Sequence, residues 1–102
     1  MEYLVTAKLR AEQAGALLEA LETGRLAAGE VYEDEMQRAL GEALVEGEAV
    51  RWIETCYCST PLRAERSILD VYFKEIETEP LVGEPPSSGV PLTEHLRFAS
   101  SA

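Results

Sequence analysis

Basic residues are scarce in this sequence. Nine Lys and Arg residues stand against 19 Asp and Glu residues, which gives the 102 residues a formal net charge of -10. Proteins that bind DNA or RNA neutralise phosphates with clustered Lys and Arg side chains. This charge balance therefore excludes nucleic acid as an expected partner.

Long apolar runs are absent as well. Met1-Glu2-Tyr3 has neither the basic region nor the apolar stretch of a signal peptide, and no run approaches the roughly 20 apolar residues of a membrane helix. The two cysteines, Cys56 and Cys58, are too few for the disulfide framework of a small secreted protein. We expect a cytoplasmic protein that has no membrane partner.

The usual catalytic and cofactor-binding motifs are missing. The single histidine, His95, lies close to the C-terminal end, and no serine stands in the strand-turn-helix setting of a nucleophile elbow. The glycines match neither a phosphate-binding loop nor a dinucleotide-binding spacing. We predict no cofactor.

What the sequence does contain is regular hydrophobic periodicity. Over residues 3–9, the side chains of one face are apolar and alternate with those of the other face, which predicts a strand. Helical spacing predicts a first helix from residue 11 to a Gly24 cap, and a second over 30–46. Segments 49–58 and 67–78 are rich in β-branched and aromatic residues, which favours two antiparallel strands. A helix over 61–73, with Thr60 as its N-cap and Pro61 at its first position, is the alternative.

These elements predict an α+β domain: a small antiparallel sheet of about three strands, in the order β-α-α-β-β, covered on one face by two helices. An arrangement with a strand pair between the two helices is not predicted, because only 25–31 lies there. Ten of the last 23 residues are Pro, Gly or Ser. We therefore predict one domain over 1–79 and a flexible or loosely docked tail over 80–102.

The predicted outer face of the sheet mixes cations with aromatic and apolar residues. Such a face can bind an anionic small molecule, or pack against a second copy of the chain in a homodimer. The residues that would bind the anion are Lys8, Arg51, Tyr57, Tyr72 and Lys74.

Two further candidates lie on the predicted inner face. Glu54 stands between Trp52 and Cys56, and a carboxyl beside an indole has a raised pKa that suits a general acid or base. Cys56 and Cys58 provide two thiols, which are weak candidates for a metal or redox site because a tetrahedral zinc site needs four ligands. Glu54 is thus the predicted catalytic residue.

From these observations we expect a non-catalytic homodimeric accessory or regulatory module, with a second protein as a further potential partner. One alternative is a small dimeric ligand-binding protein or simple acid/base enzyme that acts on an anionic molecule. The other is a thiolate metal or redox site at Cys56 and Cys58.

Overall fold

The computed structural model describes residues 1–57 and 60–100. Residues Ala11–Gln13 form a short 3-10 helix ahead of the first α-helix. The other elements are, in chain order, β1 (Glu2–Leu9), α1 (Ala14–Thr23), α2 (Glu33–Gly41), β2 (Leu44–Glu46), β3 (Ala49–Thr55), α3 (Arg66–Tyr72), β4 (Phe73–Pro80), β5 (Val90–Pro91) and α4 (Leu92–Ser100).

The described strands form one antiparallel sheet in the order β4-β1-β3-β2-β5. This confirms the α+β class. The predicted sheet of about three strands and two helices differs in detail, because Leu44–Glu46 and Val90–Pro91 add two strands and the structure has four α-helices in the described residues. In the predicted order β-α-α-β-β the last two strands follow one another, whereas α3 separates β3 from β4. Strands β1 to β4 with α1 and α3 thereby have the order of elements found in ferredoxin-like domains, to which α2, β5 and α4 are added.

The second predicted helix was too long. Helix α2 ends at Gly41, and Leu44–Glu46 pair with β3 instead of continuing the helix. Ala43 and Leu44 continue the helical spacing of apolar residues, and for this reason strand β2 was not predicted. Gly47, at a φ of 63°, begins the two-residue hairpin turn that joins β2 to β3.

The predicted strand over 67–78 was also wrong in its first half. Arg66–Tyr72 are helical and the strand begins at Phe73. In α3, Leu69 is buried while Val71 is exposed, which a strand with alternating faces could not produce. The alternative helix over 61–73 correctly placed Leu69 on an inner face, but it was too long at both ends, because 61–65 form turns and Phe73 belongs to β4.

The core lies between the helices and one face of the sheet. On β1 and β3 the alternating residues Val5, Val50 and Trp52 are buried, as their period predicts. The Trp52 ring packs against Phe73 of β4 with the ring centroids 5.1 Å apart. This packing fixes the indole that the site described below depends on.

Residues after β4 cross the other face of the sheet. The stretch from Pro80 to Pro86 lines grooves together with Leu4, Arg51 and Ile53, and carries the chain from the β4 edge to the β5 edge. Helix α4 then packs against α1. Within 1–57 and 60–100, no helix has the length and apolar character that crossing a membrane requires.

Candidate functional site

A fully buried carboxyl lies on the inner face of β3. The alternation that buries Trp52 also turns Glu54 inward, and Glu54 is 0% exposed. Trp52 donates its indole Nε1–H to Glu54 Oε1 at 2.9 Å. Glu54 Oε2 has no hydrogen-bond partner in the described part of the chain, so the carboxyl is less well satisfied than buried polar groups usually are.

The surroundings of Glu54 favour its neutral form. Burial raises the pKa of the Glu54 carboxyl to about 7; the Trp52 hydrogen bond and the Arg38 charge oppose this rise, while the Glu65 and Glu35 charges add to it. A group with such a pKa exchanges its proton near neutral pH. That is the property required of a general acid or base.

A second carboxyl, Glu65, is buried just before α3. It is 4% exposed, and its Oε2 atom also finds no partner within 1–57 and 60–100. Its backbone carbonyl accepts a hydrogen bond from the Leu69 N–H at 3.0 Å, which ties it to the first turn of α3. The preceding turn holds buried Leu62 at a φ of 58°, a backbone conformation that is unfavourable for leucine.

A third carboxyl, Glu35, links α2 to the end of β3. Its Oε2 atom accepts hydrogen bonds from the Thr55 backbone N–H at 2.6 Å and from Arg38 Nη2 at 2.7 Å, and its Oε1 atom accepts one from Arg38 Nε at 2.9 Å. Burial alone would raise the pKa of Glu35, but these bonds hold the pKa below its usual range. Glu35 is therefore an anchored carboxylate and not an available acid.

These carboxyls adjoin a pocket of about 590 Å³, a volume within the range of small-molecule sites. The pocket is lined by Val31, Tyr32, Glu35, Thr55, Cys56, Tyr57, Ala64 and Glu65. The Tyr32 hydroxyl donates to the Ala64 carbonyl at 3.2 Å, and burial together with the Glu30 and Glu65 charges raises the pKa of Tyr32. Tyr57 is 89% exposed. Glu54 does not itself line the pocket.

The residues proposed to bind an anion are placed in different regions. Lys8 and Lys74 are opposite each other in the β1–β4 register, and both line a groove that His95 also lines. Arg51 lines separate grooves and contacts Glu46 at 3.4 Å. Tyr57 belongs to the carboxylate pocket, and Tyr72 ends α3 against the core. Lys8 and Lys74 are thus the cations that share a groove.

The structure describes one of the two cysteines that were predicted as a weak metal or redox site. Cys56 is buried and lines the carboxylate pocket, whereas Cys58 lies outside the described residues. Within the described ranges, no three His, Cys, Asp or Glu side chains are placed so that they could hold a metal ion.

Glu65 is the pocket residue that sequence reasoning missed. Asp70, a carboxyl on the segment predicted as the neighbouring strand, is exposed and contacts Arg66 at 3.3 Å. The strand interpretation of 67–78 leaves 62–66 as a helical turn outside the sheet, where a glutamate is expected to face water. No local signal marks Glu65, because residues 61–65 form turns and α3 begins only at Arg66.

Comparison with known proteins does not supply a function. No protein-family model matches the chain, and neither the curated proteins nor the solved structures give a significant match. The function therefore has to rest on the chemistry of the site itself.

Proposed function

We propose that this chain is a small-molecule-binding protein whose ligand occupies the pocket between α2, the end of β3 and the turn before α3. The observation that carries the proposal is Glu65: its side chain is buried in the pocket wall, and its Oε2 atom has no partner in the described ranges. A buried carboxylate oxygen without a donor is costly. A ligand that donates a hydrogen bond to Glu65 would remove that cost.

The other functions expected from the sequence have less support. The outer sheet face, where a homodimer was expected, is partly occupied by residues 80–86, which line grooves with Leu4 and Ile53. The groove shared by Lys8 and Lys74 also contains Glu12, Glu48 and Glu75, so its lysines are balanced by acids. A homodimeric accessory role and an anion site remain hypotheses, but the carboxylate pocket gives the chain a more specific role.

A second candidate function, proton transfer to or from the bound ligand, is favoured by Glu54. Its pKa of about 7 places both protonation states within reach near neutrality. Glu54 does not line the pocket, so Glu65 would contact the ligand while Glu54 takes up or releases the proton. In that role Glu65 binds the ligand and Glu54 holds the proton that is exchanged.

The binding function can be tested by screening a fragment library of mixed charge against the ¹⁵N-labelled protein by NMR. We expect binders to shift the backbone resonances of Tyr32, Thr55 and Tyr57. Glu65→Gln should weaken those binders at least tenfold, while Glu77→Gln, on the exposed face of β4, should leave them unchanged. Thermal unfolding of both variants verifies that they are folded. A screen without binders at this pocket, or equal affinity for wild type and Glu65→Gln, would contradict the proposal.

A further inference from the structure

We infer that the pocket binds an organic cation at Glu65 and that binding expels one proton from the buried Glu54 carboxyl, an exchange that presupposes the binding function proposed above. The ligand would carry an ammonium, guanidinium or protonated heterocyclic nitrogen attached to an apolar or aromatic body.

The charge around the pocket selects a cation. Glu35 and Glu65 line it, and Glu54 lies behind it. The positive charge acting on Glu54 comes from Arg38, which is engaged by Glu35 at 2.7 Å and by Glu42 at 2.9 Å. The field in the pocket is therefore negative and opposes an anion.

The walls of the pocket suit the body of such a cation. The aromatic side chains of Tyr32 and Tyr57 line it together with the apolar side chains of Val31 and Ala64. Aromatic faces attract ammonium and guanidinium groups. A bare metal ion would gain nothing from these walls, and the described ranges contain no cluster of three metal-ligating side chains.

The proton release follows from the burial of two carboxyls that repel each other. Glu54 and Glu65 each have an Oε2 atom without a partner in the described part of the chain, and the charge of Glu65 disfavours ionisation of Glu54. Burial and the like charge of Glu65 both favour the protonated form of Glu54. A cation at Glu65 would compensate the second negative charge, so the Glu54 carboxyl would ionise and its proton would pass to water.

Several ionisable groups act on Glu54 or lie beside it, and any of them could alter its titration. Glu35 and Arg38 act from α2, and Glu65 acts from the turn before α3. Cys56 lies just after the end of β3, and Tyr3 is the register partner of Glu54 on β1. Glu35 and Arg38 are held in their ion pair. Glu54, whose pKa burial raises to about 7, is therefore the group expected to gain or lose the proton near neutrality.

Trp52 reports this proton directly. It is the single tryptophan of the chain, so its indole N–H, which donates to Glu54, gives one resolved ¹H–¹⁵N peak. In the free protein the peak should shift with a midpoint near pH 7. Saturating benzylammonium should lower that midpoint by at least one pH unit. The neutral and anionic counterparts, benzyl alcohol and benzoate, should leave it within a few tenths of a unit.

The affinity for benzylammonium should depend on pH, because binding of the cation is coupled to release of the proton. Below the midpoint, its dissociation constant should rise up to tenfold for each unit that the pH is lowered, because one proton competes with one cation. Glu54→Gln should still bind benzylammonium but lose this pH dependence and the Trp52 titration. Glu77→Gln should behave like the wild type. The wild-type titration alone tests the exchange if Glu54→Gln does not fold.

Three outcomes would overturn the inference while leaving the binding function intact. They are a benzylammonium affinity that does not vary with pH, tighter binding of benzoate than of benzylammonium, and fragment binders at the pocket that are all neutral or anionic. The absence of any binder at the pocket would instead remove the proposed function, and the inference with it.

Discussion

The indole N–H of Trp52 donates to Glu54 across 2.9 Å within the core, and this is the one hydrogen bond of the Glu54 carboxyl among the described residues. A single neutral donor offsets only part of the cost of burying a charge. Because Trp52 also packs against Phe73, the donor is fixed in place. The protein thereby keeps a carboxyl that titrates near neutrality inside its core.

The stability of the protein should fall as the pH rises from 5 to 8. The pKa of Glu54 is raised from 4.5 to about 7 on folding, so the folded state binds the proton more tightly than the unfolded state does. The contribution of Glu54 to stability is therefore fully present below pH 4.5 and is lost as the pH rises through 7. A shift of this size corresponds to about 3 kcal/mol in the free energy of unfolding. Urea unfolding at half-unit pH intervals measures it.

Glu54→Gln is the matched variant for this pH dependence. Its amide oxygen still accepts the Trp52 hydrogen bond but carries no titrating proton, so its unfolding curve should be nearly flat between pH 5 and 8. Glu77→Gln should keep the wild-type slope. Glu35 has a lowered pKa, so its stabilising contribution is lost below pH 4.5, outside this window. An equal slope in wild type and Glu54→Gln would show that another group titrates.

Glu35→Ala should destabilise the protein by about 1–3 kcal/mol. It removes the acceptor of the part-buried Thr55 N–H, and a donor left without a partner has a cost of that size. Glu42→Ala is the matched control, because Glu42 contacts the same Arg38 but its side chain is 72% exposed. Its loss should change the free energy of unfolding by less than about 0.5 kcal/mol. Chemical denaturation at pH 7 compares the two, and equal effects would contradict the anchoring role of Glu35.

The sequence predicted the fold correctly where a single hydrophobic period matches the pattern of buried residues. The alternation of residues on β3 correctly predicted that Trp52 and Glu54 face the core. This made Glu54 a candidate for the catalytic residue before its contacts were known. The Gly24 cap of α1, at a φ of 69°, was also predicted by position and residue type. These features depend on local chemistry that a single sequence contains.

The rest of the fold depends on contacts between distant segments. Leu44 fits a helical stripe as well as a strand, and its pairing with β3 decides between them. Glu65 enters the site because Leu62 and Leu69 bury the turn before α3. The spacing of residues that are close in sequence predicts neither this strand pairing nor this burial. The carboxyl next to Glu54 therefore could not be identified from the sequence.

Gly89→Ala should destabilise the protein by about 2 kcal/mol. Gly89 has a φ of 121°, a backbone conformation that is strained for alanine. An added Cβ would also lie 2.7 Å from the Val45 carbonyl oxygen, so β5 would have to move away from β2. Gly41→Ala is the control, since its Cβ would meet no atom within 4 Å at the end of α2. Gly41→Ala should leave stability unchanged or raise it by up to about 1 kcal/mol. Urea unfolding distinguishes the two, and a neutral Gly89→Ala would refute the β2–β5 contact.

Leu96→Ala tests whether residues 80–102 are a loosely docked tail, as their composition predicts. Leu96 lies on α4 and is buried in the core, whereas Phe98 on the same helix is 82% exposed. If α4 belongs to the cooperative core, Leu96→Ala should lower the free energy of unfolding by about 2–5 kcal/mol. Phe98→Ala should then lower it by less than about 1 kcal/mol. Equal and small effects of both substitutions in urea unfolding would instead favour the tail, because α4 would then detach without cost to the fold of 1–79.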